Sequence, residues 1–144
     1  MHGFTDADWV GSPMDRKSTL GGVFSIGSTT VSWYNRKQRS VALNSAEAEY
    51  MATSLAACEA IWRRKILVGL FGSHLDTTVI HCDNQSCIKL SINPVFHDRS
   101  KHIDIRYHHT KRLCAAEDHV ASLHSYGRSY CFNTFLRKIK MQIF

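Results

Sequence analysis

The sequence predicts one domain of the α/β class, and three observations carry this prediction. The first third of the 144-residue chain contains short stretches typical of strands, a long helical pattern follows, and another strand-like stretch comes after that helix. A folded chain of this length buries roughly 68–70% of the surface that its unfolded form exposes. Its core therefore needs neither disulfides nor structural metal.

Three strands are predicted ahead of the first helix. Residues 3–8 are compatible with a strand, residues 21–26 alternate, and residues 30–34 form a third β-compatible stretch. Gly27-Ser28-Thr29 stands between the last two. A short connection led by glycine is typical of a hairpin, so these two strands should pair antiparallel.

A long helix is predicted next because a capping box stands at its start. Asn44 can accept from the first free amides, and Glu47 can reach back. Two glycines can end the helix near Leu70. Glu49 lies on a side with mostly small residues, and the opposite side carries an apolar stripe: Met51, Leu55, Cys58, Trp62 and Ile66. The helix is therefore expected to be sandwiched, with Glu49 facing the sheet.

Beyond this helix the pattern predicts a strand at residues 77–82, a short helix at 85–92 and another helix at 100–115. From residue 119 to 144 neither a strand period nor a helix period holds for long. The chain is therefore divided into a domain at residues 1–118 and a non-matching basic tail at 119–144, expected to be disordered or poorly packed. The net charge is +6, of which the tail carries +4.

Composition excludes several classes of protein. Five cysteines form no Cys-x-x-Cys pair, which predicts reduced thiols and an intracellular protein. The longest strongly apolar stretch, residues 66–71, is far shorter than the roughly 20 residues of a membrane-spanning helix. The first residues lack the basic and apolar regions of a secretory signal. Neither a membrane segment nor a signal peptide is expected.

Three acids stand at strand ends or at a helix start beside the predicted sheet: Asp6, Glu49 and Asp83. Acids confined this closely resist ionisation unless cations neutralise them. Mg²⁺ prefers oxygen ligands, and two such ions about 3.5–4 Å apart activate a water and stabilise a leaving oxygen at phosphorus. The structural alternative is that Asp83 caps the next helix and Glu49 complements the helix dipole. Spacing alone favours that alternative, whereas the order of the acids along the elements favours a metal site.

Six ordered blocks make the sequence resemble a known family. They are FTDADW at residues 4–9, DRKST at 15–19, VSW at 31–33, AEAEY at 46–50, CDNQS at 82–86 and KHIDIRYH at 101–108. In order and spacing these blocks resemble the ribonuclease H domain of copia-type retrotransposon Pol polyproteins. The resemblance extends over residues 2–112.

The resemblance implies a ribonuclease H-like fold, with strands 1–3 antiparallel, strand 4 parallel and helices on the faces of a mixed sheet. This sequence gives no clear fifth strand. Asp6, Glu49 and Asp83 are implied as catalytic metal ligands, the first three of an Asp-Glu-Asp-Asp set, with Asp8 and Glu47 as alternative assignments. The implied cofactor is Mg²⁺, as two ions, or Mn²⁺. The implied activity is endonucleolytic cleavage of the RNA strand of RNA–DNA hybrids during reverse transcription.

The implied partners are the RNA–DNA hybrid and the reverse transcriptase domain of a parent polyprotein, in the cytoplasm or in virus-like particles. The chain departs from the family at its C-terminus, because no acid follows Asp118 and the fourth carboxylate is missing there. Asp104, Glu117 or Asp118 can substitute only within metal reach. The alternative function is therefore a catalytically inactive remnant that at most binds nucleic acid, and weak or absent cleavage is expected.

Five residues are predicted to contact nucleic acid: Arg36, Lys37, Asn84, Lys101 and Arg106. Basic side chains bind the phosphate backbone without reading sequence. Recognition of a hybrid depends on groove shape and 2′-hydroxyl groups. Helix capping is an equal alternative for Asn84.

The remaining conspicuous residues are expected to be structural. Core positions are expected for Trp33, Tyr50 and Trp62, and solvated surface for residues 63–65. Strand alternation should point Cys82 away from His81 and Asp83. A zinc site is therefore disfavoured, and buried thiols and surface histidines are expected, at His81, Cys82, Cys87, His97 and His102.

Overall fold

The computed structural model describes residues 1–72, 76–92 and 121–125. Its elements in chain order are β1 (His2–Asp8), β2 (Thr19–Ile26), β3 (Thr29–Lys37), α1 (Ser45–Phe71), β4 (Thr78–Cys82), α2 (Gln85–Ile92) and β5 (Ala121–Ser125). The first four predicted strands and the first two predicted helices are confirmed. The predicted helix at residues 100–115 lies outside the described residues.

A mixed five-stranded sheet forms the centre of the described fold, in the order β3-β2-β1-β4-β5. β1 pairs antiparallel with β2, and β2 with β3, whereas β4 runs parallel to β1. A parallel partner needs a crossover connection. α1 supplies it by carrying the chain from the edge strand β3 to the far side of β1. The predicted mixed sheet is thereby confirmed.

The fifth strand, β5, pairs parallel with β4, from Thr78 opposite Ala121 to Cys82 opposite Ser125. It lies within residues 119–144, where the sequence shows no regular pattern. Its sequence, ASLHS, has few of the β-branched and aromatic residues that favour strands. β5 therefore forms because β4 offers it an edge to pair with, not because of its own sequence. The domain boundary at residue 118 stays a prediction.

Local capping sets both ends of α1, as the sequence predicts. Asn44 Oδ1 accepts a hydrogen bond of 2.9 Å from the Glu47 amide, while Glu47 Oε2 accepts one of 2.9 Å from the Leu43 amide. At the other end Gly72 adopts a left-handed conformation with φ of 63°. Its amide donates to the carbonyl of Val68 over 2.8 Å. These caps satisfy backbone groups that the helix leaves unpaired.

Only the first half of α1 is sandwiched. Its buried residues extend from Glu47 to Ala60 and no further. Among the predicted core residues Tyr50 is buried, but Trp33 and Trp62 are 52% and 59% exposed, so the expectation for the two tryptophans was wrong. A helix of 27 residues is about 40 Å long, whereas the longest strand of nine residues spans about 30 Å. The last turn of the helix therefore extends past the sheet, whereas Trp62 lines a surface groove beside Ile26 and Val31 of the hairpin that leaves it exposed.

Arg63 corrects the expectation that residues 63–65 are all solvated surface. Its side chain is only 12% exposed and forms an ion pair with Glu59. The guanidinium lies over the Phe24 ring at 4.4 Å and donates a 2.6 Å hydrogen bond to the Ser32 hydroxyl. Arg63 therefore links α1 to the β2–β3 hairpin.

The core described here has two clusters between the sheet and α1. The cluster nearest the helix start includes Tyr50, Met51, Cys82 and Cys87. The other surrounds Phe24 and Ile80, with the small residues of α1 packed against them. Small side chains let the helix approach the sheet closely, as predicted from the sequence. Within residues 1–72, 76–92 and 121–125, none of the helices has the length and apolar character needed to cross a membrane.

Candidate metal centre

Two of the predicted acids belong to neighbouring parallel strands, since Asp6 lies on β1 and Asp83 directly follows β4. β1 and β4 pair with a constant offset, in which His2 faces Val79 and Phe4 faces His81. Asp6 lies two residues beyond Phe4, and Asp83 lies two residues beyond His81, at a bend just after β4. Strand pairing therefore brings together two acids that are far apart in the sequence.

Glu49 reaches the same place from the start of α1. Its Oε1 accepts a hydrogen bond of 3.0 Å from the backbone amide of Ala7, directly after Asp6. The residue is only 6% exposed, and Oε2 is buried without a hydrogen-bond partner among the described residues. An unpaired buried carboxylate oxygen costs free energy, which a bound cation would recover.

The surroundings of Glu49 disfavour its charged form. Burial, followed by the nearby charges of Asp6, Cys82 and Asp83, raises the pKa of Glu49 to about 9, although the Ala7 amide opposes the shift. Without a cation the carboxyl is therefore protonated at neutral pH. A divalent ion in contact would favour the carboxylate instead, because an opposite charge within about 4–6 Å stabilises the ionised form.

Within the described residues, ligand atoms of Glu49, Cys82 and Asp83 form a group in which all lie within 4.8 Å of one another. Asp6 is not a member of this group, although its charge acts on Glu49. Carboxylate oxygens are the donors that Mg²⁺ and Mn²⁺ prefer. The residues present therefore fit a divalent metal, which Asp6, Glu49 and Asp83 would hold.

The position of Cys82 differs from the expectation based on strand alternation. Cys82 is the last residue of β4, and the chain bends at Asp83. Alternation therefore stops at the strand end, and both side chains meet Glu49. Sequence reasoning did not identify Cys82 as a site residue. One signal could have done so, because Cys82 directly precedes Asp83, an acid at a strand end.

The structure shows where some residues of the disfavoured zinc site lie. Cys82 and Cys87 are buried, as predicted. Hydrogen bonding to Cys87 lowers the pKa of the Cys82 thiol, against the effect of burial. His81 is half-buried, with its ring stacked on Phe4 at 4.7 Å. His97 and His102 lie outside the described residues.

The two alternative acids have other surroundings. Glu47 serves the helix cap, since its carboxylate accepts from the Leu43 amide. Asp8 is exposed at the end of β1. Glu49, in contrast, is buried between Asp6 and Asp83. The geometry thus favours Glu49 over Glu47 and Asp6 over Asp8.

The predicted basic contacts are partly engaged within the protein. Arg36 pairs with Glu59 at 3.2 Å, and Lys37 pairs with Asp15 at 2.9 Å, yet both basic side chains remain more than half exposed. Hydrogen bonds from Ser12 and then Lys37 lower the pKa of Asp15 to about 2. Both cations are therefore held in place at the surface while keeping area for an anion.

Asn84 acts as a helix cap in the structure. Its Oδ1 accepts a hydrogen bond of 3.0 Å from the Cys87 amide at the start of α2. The side-chain amide nitrogen is not used in this bond. Capping is therefore observed, and a contact with nucleic acid stays a prediction.

A basic groove lies between the end of β3 and α1. Its volume is about 270 Å³, and Arg36, Lys37 and Arg39 line it together with Leu55 and Cys58 of the helix.

Five other residues of the predicted site lie outside the described residues: Lys101, Asp104, Arg106, Glu117 and Asp118. The fourth carboxylate therefore also stays a prediction.

The sequence has clear relatives among transposon proteins. It is 42% identical to the retrovirus-related Pol polyprotein from transposon TNT 1-94 of Nicotiana tabacum over 113 residues, which is 78% of this chain and 8% of that relative. It is 40% identical to the corresponding polyprotein from transposon RE1 of Arabidopsis thaliana over 108 residues, 75% of this chain and 7% of that one. Its homologues are Pol polyproteins of copia-type transposons. The resemblance stated from the sequence is thereby confirmed.

The chain spans less than a tenth of the length of these Pol relatives. No protein-family model matches the sequence. The fold nevertheless agrees with solved ribonuclease H structures. The ribonuclease H domain of PFV has a TM-score of 0.57 at 14% identity, covering 88% of this chain and 78% of that domain.

Two further solved structures share the fold. LC11-RNase H1 in complex with an RNA/DNA hybrid has a TM-score of 0.52 at 10% identity, covering 88% of this chain and 85% of that one. The prototype foamy virus protease-reverse transcriptase has a TM-score of 0.59 at 13% identity, covering 87% of this chain and 17% of that chain. Identities this low show the fold alone, which is ribonuclease H-like as predicted.

Proposed function

We propose that this protein is a metal-dependent endonuclease that cleaves the RNA strand of RNA–DNA hybrids during retrotransposon reverse transcription. The observation that carries the proposal is the buried Glu49 carboxyl, whose Oε2 has no hydrogen-bond partner in the part of the chain that the structure describes, while the charges of Asp6 and Asp83 act on it. Homology to Pol polyproteins and the ribonuclease H-like fold support the same activity.

The three acids have distinct parts in the proposed reaction. Bound Mg²⁺ or Mn²⁺ would supply an activated water and neutralise charge at the phosphorus. The Ala7 amide fixes Oε1 of Glu49 and leaves Oε2 for the metal. Asp6 and Asp83 complete the oxygen ligands from two adjacent strands. The β1–β4 pairing thus holds the site on rigid elements.

The substrate is placed by the basic groove of Arg36, Lys37 and Arg39. Guanidinium and ammonium groups bind phosphates of either strand without reading bases. Lys101, Arg106 and Asn84 are proposed to extend this contact. A solved neighbour with the same fold holds an RNA/DNA hybrid, which supports this choice of substrate.

The alternative function is a catalytically inactive remnant that at most binds nucleic acid. The absence of any acid after Asp118 favours it, because the family's fourth carboxylate belongs in that segment. Binding would survive in such a remnant, since the basic groove is independent of the acids. Separate measurements of hybrid cleavage and hybrid binding therefore distinguish the two functions.

A cleavage assay with a labelled hybrid tests the proposal. With Mg²⁺ the wild-type chain should cut the RNA strand, and Asp83→Asn should abolish the cut by removing one metal ligand. Asp76→Asn is the matched control, because Asp76 is an exposed acid outside the metal centre. Hybrid binding without any cleavage by the wild-type chain would establish the inactive remnant instead.

We also propose that the protein acts beside the reverse transcriptase domain of a parent polyprotein, in the cytoplasm or in virus-like particles. Homology to retrovirus-related Pol polyproteins supports this partner. So does the fold's presence within a solved protease-reverse transcriptase. Co-purification with the reverse transcriptase segment of the parent element should detect the contact, and failure at micromolar concentrations would exclude a stable one.

A further inference from the structure

We propose that Cys82, Glu49 and Asp83 form a binding site for one thiophilic divalent cation such as Zn²⁺ or Cd²⁺. This site goes beyond the proposed nuclease function, because it uses a sulfur ligand that Mg²⁺ does not favour. It shares two carboxylates with the nuclease centre but requires no cleavage. Only the three ligand atoms are needed.

The geometry of the three side chains is close to that of a metal site. Their ligand atoms all lie within 4.8 Å of one another. A tetrahedral ion with bonds of about 2.3 Å to sulfur and 2.0–2.2 Å to oxygen keeps its ligand atoms about 3.5 Å apart. Side-chain rotations that draw the atoms together by about 1 Å therefore suffice, and Asp83 lies at a bend rather than within the strand.

Two of the ligand atoms are buried without a strong hydrogen bond among the described residues. Glu49 Oε2 is buried and unpaired among the described residues. The Cys82 side chain is fully buried, and its hydrogen bonds go to a weak partner, the Cys87 thiol, and to a distant one, the Asn84 carbonyl at 3.9 Å. A thiol is only a weak donor. A soft cation would satisfy both atoms at once.

The wider surroundings of the site also favour sulfur ligation. Cys87 lies beside Cys82 in the same buried cluster, with its Sγ 3.5 Å from the Thr53 hydroxyl. This contact leaves Cys82 as the thiol that faces the two acids. On binding, the cation would form one bond to sulfur and two to oxygen, and the thiol proton and the Glu49 proton would pass to solvent.

Titration of the full chain with CdCl₂ in a thiol-free reducing buffer tests the site. Sulfur-to-cadmium charge transfer gives an ultraviolet band that histidine and carboxylate ligands do not give. Cys82→Ala should remove the band of the tightest site, whereas the matched Cys58→Ala should keep it. Cys58 is exposed on α1 nine residues after Glu49, about 13 Å along the helix axis.

A second variant keeps the test decisive if Cys82→Ala fails to fold. Asp83→Asn retains the thiol but removes a ligand, so Cd²⁺ affinity should fall at least tenfold while the helical circular dichroism stays unchanged. Equal bands in Cys82→Ala and wild type, or unchanged Cd²⁺ affinity in Asp83→Asn, would overturn the proposal. Hybrid cleavage is not measured, so failure here is distinct from failure of the proposed function.

Discussion

Replacing Glu49 with Gln should stabilise the metal-free protein at neutral pH. The buried position beside Asp6 and Asp83 raises the pKa of Glu49 from 4.5 to about 9. The unfolded chain ionises near the lower value, so between these two values the native state holds a proton that the unfolded state releases. Glutamine keeps the shape and the acceptor for the Ala7 amide but has no such proton.

The size and sign of the effect follow from proton linkage. Below the lower pKa Glu49 is protonated in both the native and the unfolded state, so it does not lower the free energy of unfolding. Above it the free energy of unfolding falls by about 1.4 kcal/mol per pH unit until the pH passes the raised pKa. At pH 7, about 2.5 units into this interval, the cost is about 3 kcal/mol. The advantage of Glu49→Gln should therefore grow as the pH rises from acid to neutral.

Urea unfolding in EDTA, followed by circular dichroism across this pH range, measures the difference. Glu47→Gln is the matched control on the same helix, because a capping box accepts glutamine as well as glutamate. Its effect should stay below about 0.5 kcal/mol. A Glu49→Gln variant that is less stable than wild type at pH 7, or a difference that does not change with pH, would refute the reasoning.

Three further predictions concern metal binding and folding. Mg²⁺ at ten times its dissociation constant should raise the free energy of unfolding of the wild-type chain by about 1.4 kcal/mol in urea titrations, but not that of Asp83→Asn. Equal stabilisation of both would place the metal elsewhere. Arg63→Ala should lower that free energy by about 2 kcal/mol, since a partly buried ion pair, a hydroxyl contact and a ring contact are lost. Lys65→Ala is the exposed control, and equal losses in the same titration would show that burial of Arg63 is not what matters. Asn44→Ala should cost about 1 kcal/mol by removing the cap of α1, and an unchanged urea midpoint would contradict the assigned cap.

Elements with local signals could be predicted accurately from the sequence. The capping pair of Asn44 and Glu47 fixes where α1 begins, and the glycine at residue 72 fixes where it ends. Gly27 adopts a positive φ in the β2–β3 turn. In each case the decisive contacts lie within a few residues along the chain. Such contacts form in much the same way whatever the rest of the fold does.

Exposure was less predictable, because it depends on what lies opposite. Trp62 belongs to an apolar stripe by helical spacing, yet it is 59% exposed, because the small residues of α1, such as Ala56 and Ala60, are the ones packed in the core. Trp33 lies on the edge strand β3 and is also half-exposed. Arg63 is nearly buried for the converse reason, since the hairpin lies against that side of the helix. Periodicity shows which residues share a face, but not which face is covered.

The sequence by itself determined the acids, their order along the elements and the family to which the blocks belong. Only the tertiary structure decided which acids meet. Parallel pairing of β1 with β4 puts Phe4 opposite His81, two residues before Asp6 and Asp83, and packing of α1 buries Glu49 beside these acids while Glu47 turns to the cap. The same packing brought the Cys82 thiol into the centre. Distances across a sheet depend on strand register and helix packing, which no local pattern specifies.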